Sequence, residues 1–134
     1  EDDDDLRSLL TEILDDKGYE VFSYTNPFIC PLQKIPACRC KDNERCTDFI
    51  ITDIEMPNMN GFEFIENLRE KKCKCNEVIV MSASLNPEYQ VKAEELNCKF
   101  FSKPLPLQEF NEFIDERSKS FDPNRKLKDW FKEK

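Results

Sequence analysis

Three short stretches, Asp48 to Thr52, Glu77 to Ser82 and Lys99 to Ser102, read as strands, and each is followed by an amphipathic helical pattern. The first carries the apolar run Phe49 to Ile51, reaches Asp53, and turns through Pro57 to Gly61. Phe62, Ile65 and Leu68 then mark a helix that ends near Lys72. The second is a continuous apolar run closed by the hydroxyl of Ser82, after which Asn86 and Pro87 open a helix reaching about Leu96. The third precedes Lys103-Pro104 and a helix with Leu107, Phe110, Phe113 and Ile114 on one face. Strands that alternate with helices require a parallel sheet joined by right-handed crossovers. The same signals extend upstream. Leu6, Leu9, Leu10, Ile13 and Leu14 form one face of a helix, Gly18 stands where a helix C-terminal glycine belongs, and Tyr19 to Tyr24 reads as a strand.

Parallel strands point their carboxyl ends at one edge of the sheet, where open α/β folds place their chemistry. Asp53, Ser82 and Lys103 therefore share an edge. Glu1 and Asp2, in the acidic run that opens the chain, join them if a strand feeds into that run. Taken singly, Asp53 reads as a turn cap, Lys103 as a solvated surface cation, and Glu1 and Asp2 as acids favoured by a helix dipole. Together they make a more specific set. Clustered carboxylates repel unless a hard cation lies between them, and Mg²⁺ with retained waters suits oxygen ligands. The cation and the ammonium neutralise a phosphoryl group, the hydroxyl hydrogen-bonds one of its oxygens, and Asp53 is placed to be the nucleophile.

Composition narrows the alternatives. At 134 residues the chain has room for one domain with a real core, and 28 acidic against 20 basic residues give a net charge of −8. An acidic surface argues against binding nucleic acid through a basic face. No apolar run approaches the roughly 20 residues of a membrane span, and no signal peptide is visible. There is no histidine, which excludes a phosphohistidine donor, a Ser-His or Cys-His pair and a His-ligated metal within this chain. The cysteines number seven, which is odd, and the core does not need staples; reduced thiols in a cytosolic protein are expected.

At these residues the chain resembles a response-regulator receiver domain, the phosphoacceptor module of two-component signalling. The pattern Asp-x-x-Met-Pro-x-Met-x-Gly is met by Asp53, Met56, Pro57, Met59 and Gly61. Ser82-Ala83 stands at the end of the next strand, and Lys103-Pro104 follows the last one. The resemblance covers roughly residues 1 to 117. It implies a flavodoxin-like doubly wound sheet of order 2-1-3-4-5. It further implies that Glu1, Asp2, Asp53 and the backbone carbonyl of Glu55 hold Mg²⁺, and that Asp53 is the phosphorylated residue. Lys103 matches the phosphate-binding lysine before a cis proline, Ser82 and Phe100 the switch pair, and Glu55 and Ser84 the positions that tune phosphate lifetime. The implied partner is a histidine kinase or a histidine phosphotransfer protein. The resemblance also implies a signalling module rather than an enzyme, its own chemistry limited to self-catalysed phosphotransfer and dephosphorylation.

The chain departs from the family in three places. In the family the first strand leads into the acidic pair, and no such strand is in this sequence, so reduced stability and a doubtful Mg²⁺ site are expected. The second helix is replaced by an irregular Pro/Cys-rich insertion over residues 26 to 47, punctuated by Pro27, Pro31 and Pro36. Residues 118 to 134 are a tail with a short amphipathic helix around Leu127, Trp130 and Phe131, too short for a DNA-binding module. These features suggest a cytoplasmic receiver from a hybrid sensor kinase. A second reading, from another class, is a receiver-like interaction domain that is never phosphorylated. In that reading zinc is held by thiolates drawn from Cys38, Cys40, Cys46, Cys73, Cys75 and Cys98 at the sheet edge opposite Asp53.

Overall fold

The computed structural model describes residues 4–23, 44–45, 47–56, 60–71, 75, 77–121 and 126–127. In chain order the elements are α1 (Asp4–Asp16), β1 (Glu44–Arg45), β2 (Ile50–Asp53), α2 (Gly61–Glu70), β3 (Val78–Ser82), α3 (Pro87–Glu95), β4 (Lys99–Ser102), α4 (Leu107–Lys119) and β5 (Lys126–Leu127). β2, β3 and β4 form a parallel sheet in that order, and β1 pairs with β5, also in parallel.

Local chemistry sets the helix ends. Asn60 caps α2 by accepting the Phe62 N–H on its side-chain oxygen, and Asn86 caps α3 in the same way for Glu88, with Pro87 in the first turn. α1 ends on Gly18 at φ +90°. There the Tyr19 N–H reaches the Leu14 carbonyl at 3.0 Å and the Gly18 N–H reaches Asp15 at 2.9 Å. α3 ends on the same pair of bonds around Asn97 at φ +58°: Cys98 to Ala93 at 2.8 Å and Asn97 to Glu94 at 3.1 Å. Each left-handed residue reverses the chain at once and satisfies carbonyls that a fraying end would leave open.

The sheet lies between two apolar layers. On one face Ile50, Ile54, Val78 and Val80 pack with Phe62, Ile65 and Leu68 of α2 and Ala93 of α3. On the other, Ile79, Met81 and Phe101 pack with Leu10 and Leu14 of α1 and Phe110 and Ile114 of α4. β3 is buried along its whole length, which is why its sequence is a continuous apolar run rather than an alternating one. Each of its large side chains contributes about 1.5–3 kcal/mol relative to exposure.

The α/β parallel sheet expected from the sequence is present, with two differences. The strand expected over Tyr19 to Tyr24 is not formed by residues 19–23, and Tyr24 lies outside the described residues. A strand exists only where a neighbour completes its hydrogen-bond ladder, and no described strand lies beside this segment. Tyr19 and Val21 of the segment pack instead, while Phe22 stays exposed. Tyr19 and Val21 join the α1–α4 layer, the Tyr19 ring sets its edge against Phe49 at 5.7 Å, and the Tyr19 hydroxyl shares a hydrogen bond with Ser118. In the tail, α4 runs to Lys119 and Leu127 pairs as strand rather than helix, its partner Arg45 being remote in sequence. Trp130, Phe131 and nearly all of the Pro/Cys insertion lie outside the described residues. The described sheet has three strands in the order β2-β3-β4, and the remaining places of the expected order 2-1-3-4-5 have no counterpart among the described residues.

Candidate functional site

Register brings the polar groups together. Asp53, the last residue of β2, lies opposite Met81, and Ser82, the last of β3, lies opposite Ser102. The ladder continues one step further on each side: the Ile54 N–H donates to the Met81 carbonyl at 2.9 Å, and the Lys103 N–H donates to the Ser82 carbonyl at 2.8 Å. The first residue to leave each strand is therefore still held by a ladder hydrogen bond. Lys103-Pro104 is a cis peptide.

The Asp53 side chain is only 7% exposed, and its Oδ2 lies 2.7 Å from Lys103 Nζ. Its Oδ1 accepts a longer hydrogen bond, 3.3 Å, from the Glu55 N–H. A buried ion pair is costly to desolvate, and its attraction does little more than repay that cost. Its presence at a sheet edge is thus better explained by chemistry than by stability. Gly61 shows how tightly the backbone that carries Asp53 is seated. A Cβ on Gly61 would lie 2.2 Å from the Asp53 carbonyl oxygen and 2.9 Å from the Ile54 Cα. Only hydrogen fits, and the Gly61 N–H closes the contact at 2.7 Å on the Ile54 carbonyl. The start of α2 is pressed directly onto the backbone of the Asp53 turn.

Ser82 is fully buried, and its Oγ donates to Glu55 Oε1 at 2.6 Å while accepting the Ser84 N–H at 3.0 Å. The Ser84 hydroxyl in turn accepts the Asn86 N–H at 3.2 Å, at the entry to α3. Phe100 is half-buried against the α2–α3 layer, paired in register with Val80 two residues before Ser82. The fold thus brings together Asp53, Glu55, Ser82, Ser84 and Lys103, with Phe100 behind them on the same side. Glu1 and Asp2 lie outside the described residues, as do Pro57 and Met59 of the motif.

Two contacts were not foreseen from sequence. The Glu55 side chain, read only for its backbone carbonyl and its position beside the site, holds the Ser82 hydroxyl. The Thr52 hydroxyl donates to the Asp53 carbonyl at 3.0 Å and fixes the peptide that follows the carboxylate. Neither choice of side-chain rotamer leaves a mark in sequence spacing.

Among the described residues no cluster of three or more Cys, Asp or Glu is arranged to hold a metal. The donors that the edge does offer, the Asp53 carboxylate and backbone carbonyls, are oxygens, which suit Mg²⁺ and not a thiophilic ion. At the opposite edge Cys75 and Cys98 are buried and in no disulfide. Their thiols donate to backbone carbonyls, Cys75 to Asp48 and Glu77 and Cys98 to Leu96, each at 3.6 Å. Burial pushes the Cys98 thiol above its ordinary 9.0, against the charge and hydrogen bond of Arg69. Cys38, Cys40, Cys46 and Cys73 lie outside the described residues.

A family model described as the response regulator receiver domain matches residues 1–115. Hybrid signal transduction histidine kinase C of Dictyostelium discoideum is 33% identical over 108 residues, which are 75% of this chain and 8% of that protein. The chain therefore spans less than a tenth of the length of that relative. Among solved structures, the N-terminal domain of an uncharacterized protein from Wolinella succinogenes superposes with a TM-score of 0.72 at 29% identity, covering 89% of this chain and 90% of the other. The chemotaxis protein CheY4 of Vibrio cholerae gives a TM-score of 0.68 at 24% identity, over 87% and 92% of the two chains, and shows the flavodoxin-like fold. The sheet, its polar edge and these relatives lead to one conclusion: this chain belongs to the response regulator receiver domain family, a signalling module of two-component systems.

Proposed function

We propose that the chain is a phosphoacceptor in a two-component phosphorelay. The observation that carries this reading is the Asp53 carboxylate, buried at the sheet edge 2.7 Å from Lys103 Nζ. A partner's phosphohistidine, on a histidine kinase or a histidine phosphotransfer protein, is the donor. An Asp53 oxygen forms the new O–P bond as the N–P bond of the donor breaks, and the donor imidazole keeps the electron pair and takes up a proton. Mg²⁺, when bound by Asp53, the Glu55 carbonyl and the acidic pair Glu1 and Asp2, supplies charge neutralisation at the phosphoryl oxygens. Lys103 is already in place to follow the charge from the carboxylate to the phosphoryl group. Ser82 supplies a hydroxyl to a phosphoryl oxygen, and Phe100, behind it, turns inward as Ser82 moves, changing the face made by α3, β4 and α4. Glu55 and Ser84 set how long the acyl phosphate lasts before water removes it.

The setting proposed is the receiver of a larger hybrid sensor kinase on the cytoplasmic side. No helix among the described residues is long and apolar enough to cross a membrane. Treatment of the full chain with a small phosphodonor and Mg²⁺ tests the function by mass spectrometry. The expected result is the gain of one phosphoryl group in the wild type and none in Asp53→Asn. No gain in the wild type would sink the proposal in favour of a domain that only binds partners.

A further inference from the structure

We infer that Glu55 is a positioning residue that restrains the switch by competing with the phosphoryl group for the single proton of the Ser82 hydroxyl. This rests on the phosphoacceptor function proposed above.

A serine hydroxyl has one proton to donate. In this structure the Ser82 proton goes to Glu55 Oε1, at 2.6 Å, in the range of charge-assisted bonds. The Ser84 N–H, 3.0 Å from the same oxygen, holds the hydroxyl from its other side. A phosphoryl oxygen on Asp53 needs that same proton, so the two acceptors exclude one another. Ser82 is fully buried, so if Glu55 let go with nothing to replace it the hydroxyl would be left without an acceptor, at the full cost of an unmade hydrogen bond. Release is therefore tied to the arrival of another acceptor, which makes the hydroxyl a two-position element. Glu55 itself is exposed and moves into water freely once displaced. Its backbone is held here by the bond from its N–H to Asp53 Oδ1 at 3.3 Å.

The restraint grades with the charge of the acceptor. Glu55→Gln keeps an oxygen acceptor but loses the charge-assisted part of the bond, and Glu55→Ala removes the competitor. Titration of the full chain with beryllofluoride and Mg²⁺, which mimics a phosphoryl group on Asp53, should bind on the order of tenfold more tightly to Glu55→Ala, with Glu55→Gln between the two. Loss of a negative charge beside the site would favour an anion by itself, so the deciding measurement is made in a Ser82→Ala background. There the Glu55→Ala effect should fall to about twofold or less. A second readout needs no ligand: the amide resonance of Ser84, whose N–H rests on the Ser82 hydroxyl, should move in Glu55→Ala before any beryllofluoride is added. Equal tightening with and without Ser82, or an unmoved Ser84 resonance together with unchanged affinity, overturns the assignment of Glu55 alone. Failure of the wild type to bind the mimic at all overturns it along with the phosphoacceptor function. Glu55 is exposed and Ser82→Ala removes only a hydroxyl, so these variants retain the fold.

Discussion

The two ends of the sheet both hold a cation in partly buried surroundings, and they use it in opposite ways. At the edge away from Asp53, Arg69 donates from Nη1 to the Cys75 carbonyl at 3.1 Å and from Nη2 to the Leu96 carbonyl at 3.3 Å. The fork of the guanidinium matches two fixed, neutral acceptors, and it ties the loop before β3 to the end of α3. At the other edge Lys103 meets a carboxylate with a single point charge on a flexible stem. Arginine there would hold one geometry. A lysine can follow charge that moves, and an aspartate is a group to which charge can be added. One end is a fastening and the other is a socket.

Three substitutions test that contrast, from the largest effect to the smallest. Gly61→Ala places a methyl 2.2 Å from the Asp53 carbonyl oxygen, a backbone atom with nowhere to go. Urea melts should show a loss of about 3 kcal/mol or more, and the folded fraction should take up phosphoryl groups poorly because Asp53 has been displaced. Wild-type stability and uptake in this variant would mean that the socket is looser than its geometry. Arg69→Met removes the fastening and leaves two carbonyls short of a donor, a loss of about 2–3 kcal/mol. Phosphoryl uptake per folded molecule should stay at the wild-type level; a fall would show that the two edges are coupled.

The smallest effect concerns Cys98, beside Arg69. Its folded pKa is raised above 9.0, chiefly by burial, so the folded state holds the thiol proton more firmly than the unfolded chain does. The stability this gives is complete below about pH 9, where both states are protonated, and declines as pH rises through the folded value. Comparison of Cys98→Ala with wild type across that range isolates the term from the other thiols. The variant should have the shallower decline, and parallel curves would remove Cys98 from the account.

Much of this was legible in the sequence because the signals are local. The 3.6-residue spacing of Leu6 to Leu14, the glycine at 18, the proline at 87 and the unbroken apolar run of β3 each specify an element without reference to a distant partner. Asp53, Ser82 and Lys103 could be set on one edge because parallel strands share a direction. What escaped depends on pairing across the fold. Tyr19 to Ser23 has the composition of a strand but no described neighbour to complete one, and Leu127 joins a strand because Glu44–Arg45 lies alongside Lys126–Leu127. The Glu55–Ser82 bond escaped for a subtler reason. Glu55 is two residues from Asp53 and 27 from Ser82, and only the assembled edge brings carboxylate and hydroxyl together.

The register of β2, β3 and β4 has a practical consequence. A slip of one residue would turn every side chain of a strand to the opposite face and take Asp53, Ser82 or Lys103 out of reach of the others. A misassembled sheet can keep its helical content and its compactness, and pass for native by either measure. It cannot bring Asp53, Ser82 and Lys103 together. On the function proposed above, the moles of phosphoryl group taken up per mole of chain would be a head count of correctly threaded molecules, and a preparation could be graded by that stoichiometry.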